Sequence, residues 1–160
     1  RPGLDPQRKS WIHGNTEPAW GLIQTGPTEL SVYWIETAGQ VGSIAQLRRG
    51  TLRLDGFVSM HAGYKGGEFV TKPLVFKGKR LAINFSTSAV GSVSVEIQDA
   101  TGKPLPGFSL AQSALIYGDS IERAVVWKDS ADLGKLAGKP VRLRFVMKDA
   151  DVYSLRFGTE

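Results

Sequence analysis

Ser120 is the first residue whose surroundings could support catalysis, since it lies in the short segment Gly118-Asp119-Ser120-Ile121. A serine nucleophile needs a base, usually a histidine, that accepts its proton. The chain has two histidines, His13 and His61, and both precede the serine, with no Asp-x-x-His segment near the C-terminus. A turn before a strand explains the segment without chemistry, so we expect no hydrolytic site at Ser120.

The same residue types offer little for a metal ion. His13 and His61 stand far apart, without the spacing of a zinc-binding pair, and there is no cysteine. Carboxylate pairs occur at Asp149/Asp151, Asp129/Asp132 and Asp119/Glu122. They could act as acid and base or bind calcium, but turn chemistry and solvated charge are the interpretation we favour. We expect no cofactor, with structural calcium as the open alternative.

Aromatic residues near turns suggest a different function, because sugar rings stack their C–H faces on aromatic side chains. Tyr64 is the strongest candidate, since it lies in the glycine-rich segment from His61 to Gly67. Packing in the core is the alternative for each aromatic residue. The candidate carbohydrate-binding residues are Tyr64, Lys65, His61, Tyr117 and Trp127.

Positive charge is in modest excess, with a net charge of +5. This favours anionic partners such as acidic polysaccharides but falls short of a nucleic-acid-binding segment, so we expect no nucleic-acid partner. The arginines at 48, 49, 53, 142 and 144 could form a cationic face for carboxylated or sulfated glycans. The alternative is surface charge that protects a strand edge.

The elements that must position these residues are predicted to be strands. Nineteen glycines and eight prolines in 160 residues are typical of a turn-rich β-protein. Apolar residues alternate with polar ones in several segments, most clearly at 92–98 and 140–148. Separate strands are also predicted at 81–87 and at 152–157, the latter after a turn at 149–151. We therefore predict an all-β fold, an antiparallel β-sandwich of jelly-roll type, preceded by a hairpin. The expected core includes Leu52, Phe57, Phe69, Ile83, Val95, Leu143 and Phe145.

A domain boundary is predicted near residue 43. Residues 1–43 would hold an irregular segment and the hairpin of 20–25 and 29–36, and residues 44–160 the sandwich. No apolar run approaches the roughly 18 residues of a membrane span, so we expect no membrane partner. The chain begins at Arg1 without an initiator methionine or a signal peptide, which we interpret as a piece of a longer protein.

Several long segments carry a resemblance to a known family, namely 20–36, 47–59, 67–74, 95–110 and 138–157. The chain resembles the C-terminal region of secreted bacterial proteins related to family 32 and 43 glycoside hydrolases, in which a β-sandwich follows a five-bladed β-propeller. The resemblance implies that residues 20–36 are the last propeller strands and 44–158 the appended sandwich. It implies an extracellular or periplasmic location and the catalytic propeller as partner.

The same resemblance limits what the chain can catalyse. In that family the nucleophile and the general acid lie in earlier propeller blades, which this sequence does not contain, so no catalytic residue can be assigned here. The expected function is that of a non-catalytic ancillary domain that stabilises or positions a catalytic propeller in polysaccharide degradation. The alternative is an independent carbohydrate-binding module, with acidic glycans as its candidate ligands. Whether the parent protein is an active glycoside hydrolase stays open.

Overall fold

The computed structural model of the chain describes residues 15–38, 44–128 and 130–159. These residues form an all-β, sandwich-like fold with antiparallel sheets, as the alternating sequence pattern predicts. The only helical elements in the described ranges are two short 3-10 turns, Leu110–Gln112 and Gly134–Leu136. No helix among these residues is both long and apolar enough to cross a membrane.

The chain divides into two compact units, Arg1–Leu54 (unit 1) and Asp55–Glu160 (unit 2). This division differs from the boundary expected near residue 43. The reason is the strand Gln46–Arg53, which pairs with Glu29–Ala38 continuously from Glu36↔Gln46 to Glu29↔Arg53. Hydrogen bonding along this ladder places residues 46–53 in unit 1 and not with the strands of unit 2.

Unit 1 is one antiparallel sheet built from β1 (Asn15–Pro18), β2 (Ile23–Gly26), β3 (Glu29–Ala38) and β4 (Gln46–Arg53). The central strand is β3: β1 and β2 share one of its edges, and β4 pairs with the other. The predicted hairpin of the first segments is therefore confirmed as β2–β3.

Little of unit 1 is buried. Ser31 is the only buried residue among those of unit 1 whose burial is described. The Trp34 ring lies against Gly50, where the Cβ of any larger residue would come 2.7 Å from the ring. This contact explains the glycine in the middle of β4, since no larger residue fits beneath the indole.

Unit 2 contains β5 (Met60–Ala62), β6 (Gly67–Val70), β7 (Arg80–Asp99), β8 (Asp119–Ala124) and β9 (Val141–Gly158). The long strands β7 and β9 pair at the centre of the sheet. β5 and β6 lie along the free edge of β9, and β8 lies along the free edge of β7.

Each long strand replaces two strands that the sequence predicted separately. The segments 81–87 and 92–98 are two halves of β7, and 140–148 and 152–157 are two halves of β9. Their pairing shifts register between Thr87 and Ser92, beside Asp149, whose φ is 43°. A turn at 149–151 was therefore the wrong prediction, because the chain passes this point as an irregular strand that keeps its ladder.

The core of unit 2 takes alternate side chains from both long strands. Ile83, Val95, Leu143 and Phe145 are fully buried, as predicted, and Phe69 stacks on Phe145 with ring centroids 4.6 Å apart. Two predicted core residues were wrong. Leu52 belongs to β4 of unit 1, and Phe57 is 59% exposed, because it lies in the loop before β5 and not in a strand.

Candidate functional site

Tyr64 lies at the tip of the connection between β5 and β6. The Gly66 N–H donates to the Gly63 carbonyl at 2.9 Å and closes a turn, for which Gly66 adopts a φ of 80°. The Asp149 N–H donates to the same carbonyl at 3.0 Å. These two hydrogen bonds fix the loop beside the irregular part of β9 and leave Tyr64 69% exposed.

Lys148 completes the surroundings of the Tyr64 ring. Its Nζ lies 4.6 Å from the ring centroid, which is a cation–π geometry. The ring is thus held in place by an adjacent cation while most of its surface faces solvent. Lys65, the next residue, is also exposed. An oriented ring next to ammonium groups can bind a ligand that has both an apolar face and a negative group.

His61, in the strand that leads into the Tyr64 loop, forms a polar pair with Asp151. They lie opposite each other in the β5–β9 pairing, with His61 Nδ1 3.1 Å from Asp151 Oδ1. The Ser59 hydroxyl donates to the same oxygen at 2.7 Å. We call Ser59, His61, Tyr64, Lys65, Lys148 and Asp151 together the Tyr64 surface. It contains hydrogen-bond donors, an acceptor, cations and an aromatic ring, which suits binding.

Trp127 was wrongly expected to meet a ligand. It is 2% exposed, and its indole N–H donates to the Val95 carbonyl at 2.7 Å. Phe108 packs edge-on against its ring at a centroid distance of 5.4 Å. Because the ring and the N–H are both satisfied inside the core, Trp127 is a packing residue.

Tyr117 is exposed, at 72%, but it lies elsewhere. It precedes Gly118, whose N–H donates to the Thr87 hydroxyl on the β8 side of β7. The Tyr64 loop joins β5 to β6 at the opposite edge of the sheet, with β9 and β7 between that edge and β8. The structure therefore brings His61, Tyr64 and Lys65 together and leaves Tyr117 apart from them.

Ser120 is not placed for nucleophilic catalysis with His61, the histidine that lies within the described ranges. It lies in β8, opposite Phe85 of β7, and its hydroxyl accepts a hydrogen bond from the Glu122 N–H at 3.2 Å. His61 lies on β5 at the other edge of the sheet. Three strand spacings of about 4.8 Å separate the two strands, which is about 14 Å and too far for proton transfer.

One member in each of two acidic pairs is engaged in local structure. Asp132 Oδ1 accepts from the Gly134 N–H at 2.8 Å, and Asp151 accepts from Ser59 and His61. His13 and Asp129 lie outside the described residues. Across the ranges that the structure describes, no three His, Asp or Glu residues are grouped as metal ligands.

Most of the arginines singled out as a cationic face have carboxylate partners. Arg48 pairs with Glu36 at 3.0 Å, and Arg49 pairs with Glu29. The Trp34 indole N–H and then Arg48 hold the pKa of Glu36 below its usual value. Arg144 pairs with Glu68 at 2.6 Å and lies 3.6 Å from Glu96. Such paired charges protect strand surfaces more than they attract a partner.

Lys148 and Asp151 are members of the Tyr64 surface that sequence reasoning missed. Lys148 lies 84 residues after Tyr64, and Asp151 lies 90 residues after His61. Their position in an alternating strand gave no sign of which loop they would meet, since strand register is a tertiary property.

Comparison of the chain with protein-family models, with curated proteins and with solved structures found no match.

Proposed function

We propose that this chain is a non-catalytic ancillary part of a glycoside hydrolase-like protein, in which unit 1 docks onto a partner domain and unit 2 is an attached β-sandwich. The observation that carries the proposal is the set of large apolar side chains that unit 1 leaves exposed. Ile23, Ile35 and Leu47 lie on one face of the sheet, as the pairings Ile23↔Ser31 and Ile35↔Leu47 place them, and all three are exposed. Ser31 and Arg49, which are hydrogen-bonded to each other, form the polar part of the same face.

Exposure of these large apolar side chains to water is unfavourable. Fully burying a side chain of this size contributes about 1.5–3 kcal/mol, and a small sheet needs a covered face for independent stability. Trp20, which follows β1, is also fully exposed. A partner that covered these side chains would stabilise unit 1, which is the role expected of the last strands of a larger β-domain.

The partner in this proposal is a five-bladed β-propeller, because the sequence resembles the C-terminal region of proteins related to family 32 and 43 glycoside hydrolases. The propeller would supply the missing packing for β1–β4, and catalysis would belong to it. The proposed location is extracellular or periplasmic.

The experiment mixes the 160-residue chain with a purified five-bladed propeller domain of that family and measures binding by calorimetry. We expect binding by the wild type, weaker binding by Leu47→Glu, and none by a chain of residues 55–160. Val90→Glu is the matched control, since Val90 is an exposed valine in unit 2. Equal binding by residues 55–160 and the full chain would contradict docking through unit 1, and no binding at all would contradict the proposed partner.

The Tyr64 surface favours a second function, carbohydrate binding with a preference for acidic glycans. Its oriented ring would stack on a sugar, and Lys65 and Lys148 would attract a carboxylate or sulfate. Because exposed charges are screened within about 8–10 Å at physiological ionic strength, added salt should weaken this attraction.

Titration of neutral and acidic oligosaccharides at low and high salt tests this function. We expect Tyr64→Ala to abolish binding and Tyr117→Ala, an equally exposed tyrosine at the opposite edge, to leave it unchanged. If Tyr64→Ala binds like the wild type, the Tyr64 surface is not the site. If high salt leaves the affinity for acidic oligosaccharides intact, the acidic preference is wrong.

A further inference from the structure

We propose that Arg142 is the centre of a binding site for an oxyanion, that is, a carboxylate or sulfate group. Among the described residues, its Nε is the one buried side-chain nitrogen or oxygen that lacks a hydrogen-bond partner. The proposal stands apart from the proposed function, since it uses neither unit 1 nor the Tyr64 ring.

The Nε–H of Arg142 is a buried donor without an acceptor. Loss of a proton cannot remove this donor's charge, because arginine stays protonated at any pH a protein meets. A buried donor without an acceptor costs about 1–3 kcal/mol, and more when it is charged. Native structures resolve most such cases with a water molecule or an ion. An acceptor from outside the chain therefore belongs next to Arg142 Nε.

The neighbouring carboxylates are already used. Glu96, on the paired strand, accepts from the Gln98 amide at 2.9 Å through Oε1 and from the Leu110 N–H at 3.2 Å through Oε2. Arg144 forms an ion pair with Glu68 and lies close to Glu96. Gln98, directly opposite Arg142 in the β7–β9 pairing, is neutral. Arg142 is therefore a cation without a counter-ion on a face whose two carboxylates are engaged.

Lys72 adds a second positive charge beside this position. The hydrogen bonds from Thr71 N to Leu143 O and from Leu74 N to Val141 O flank it, so its backbone passes next to Arg142. Lys72 is exposed, and Arg142 as a whole is partly exposed although its Nε is buried. Lys72 and Arg144 are thus further cations in the strands around Arg142, and Arg144 already pairs with Glu68 and lies near Glu96.

An oxyanion fits this arrangement better than a water molecule. Nε and one terminal nitrogen of a guanidinium form a planar fork that matches two oxygens of a carboxylate or sulfate. Such a ligand would satisfy the buried Nε–H and balance the local charge in one step. Free sulfate, free carboxylates and the uronate or sulfate groups of a glycan share this chemistry.

The test follows the Nε–Hε resonances of the arginines by NMR while sodium sulfate, sodium acetate or a hexuronic-acid oligosaccharide is added at constant ionic strength, with sodium chloride as reference. We expect a saturable shift of the Arg142 resonance and no comparable shift for Arg156, an exposed arginine of β9 paired with Glu122. Saturation by the oligosaccharide but not by acetate or sulfate would identify a glycan as the source of the anion.

Thermal unfolding with sulfate separates binding from general salt effects, because sulfate stabilises proteins non-specifically. We expect sulfate to raise the melting temperature of the wild type more than that of Arg142→Lys, which keeps the charge but loses the fork, and of Arg142→Gln. Arg156→Lys is the matched control and should respond like the wild type. From the loss of one charge-assisted pair, sulfate affinity should fall about tenfold in Arg142→Lys.

Three results would overturn the proposal. The Arg142 resonance could move linearly with every salt, as screening alone predicts. Sulfate could stabilise Arg142→Lys and the wild type equally. The Arg142 Nε–H could also exchange slowly with solvent and ignore all three anions, which would show that a trapped water molecule satisfies it.

Discussion

Phe145 is the residue on which the packing of unit 2 most depends. It is fully buried in the middle of β9 and stacks on Phe69 at the sheet edge. We expect Phe145→Ala to destabilise the chain by about 3–5 kcal/mol, because the large cavity cannot collapse between paired strands. Phe57→Ala, which truncates an exposed ring, should cost far less. Chemical denaturation measures both, and a loss below about 0.5 kcal/mol for Phe145→Ala would mean that its face is wrongly assigned.

The Asp99 carboxylate accepts hydrogen bonds from residues of a single turn. The Thr101 hydroxyl donates to Asp99 Oδ1 at 2.6 Å, and the Lys103 N–H donates to the same oxygen at 3.1 Å. The Thr101 hydrogen bond, followed by that of Lys103, lowers the pKa of Asp99. Because this pKa is lower in the folded chain, the carboxylate stabilises the fold above its unfolded pKa, about 3.9, and the contribution is lost as the pH falls through the folded pKa.

Thr101→Val should therefore raise the pKa of Asp99 toward its ordinary value, since the strongest donor is removed. Thr101→Ser keeps a hydroxyl and should leave the pKa low. Titration of the Asp99 side-chain carboxyl by ¹³C NMR measures both variants. An Asp99 pKa in Thr101→Val equal to that of the wild type would show that the backbone donors alone set it.

At the scale of elements, β7 and β9 are irregular at the same point, where the pairing shifts register between Thr87 and Ser92. Gly91 is buried there, and a Cβ at this position would clash with the carbonyl oxygen of Asp149 and lie 2.9 Å from that of Lys148. Both neighbours are backbone atoms of β9. The clash could therefore be removed only if the paired strands β7 and β9 moved apart. The glycine is needed at this point because of close approach between the two strands.

We expect Gly91→Ala to destabilise unit 2 by about 1–3 kcal/mol or more, which is the range for a forced backbone shift. Gly63→Ala is the matched control, because no atom lies within 4 Å of a Cβ built there. Thermal unfolding by circular dichroism compares the two variants. Equal melting temperatures would show that the strands separate at this point without cost.

At the scale of the whole molecule, the two units differ in how much they bury. The hydrophobic core consists of unit 2 residues, from Ala62 to Val152 along the chain, as far as the structure describes it. Unit 1 has a ladder of strands but no comparable cluster among its described residues. Since burial of apolar surface is the main stabilising contribution to a fold, unit 2 should fold without unit 1.

A chain of residues 55–160 should therefore unfold cooperatively, with a melting temperature within about 4 °C of the main transition of the full chain, which is the shift that 1 kcal/mol produces in a domain of this size. Hydrogen exchange in the full chain should protect 141–158 more than 23–36. Equal protection of these two segments in a monomer, or failure of 55–160 to fold, would show that unit 1 is integral to the stable domain.

The sequence by itself determined the fold class and the inward faces of the strands. Alternation with a period of two is a local property, so Ile83, Val95 and Leu143 could be assigned to the core without knowledge of their partners. The exposure of Tyr64 also followed from local features, because its glycine neighbours offer few side chains to cover the ring. The hairpin β2–β3 was equally local, since a short turn joins its strands.

Only the tertiary structure decided which distant segments meet. It assigned β4 to unit 1, joined pairs of predicted strands into β7 and β9, buried Trp127 and exposed Phe57. It also brought Lys148 to Tyr64 and Asp151 to His61, and left Arg142 Nε without a partner. The physical reason is that strand register, burial and charge pairing depend on neighbours far away in sequence, which the local pattern of a single strand does not specify.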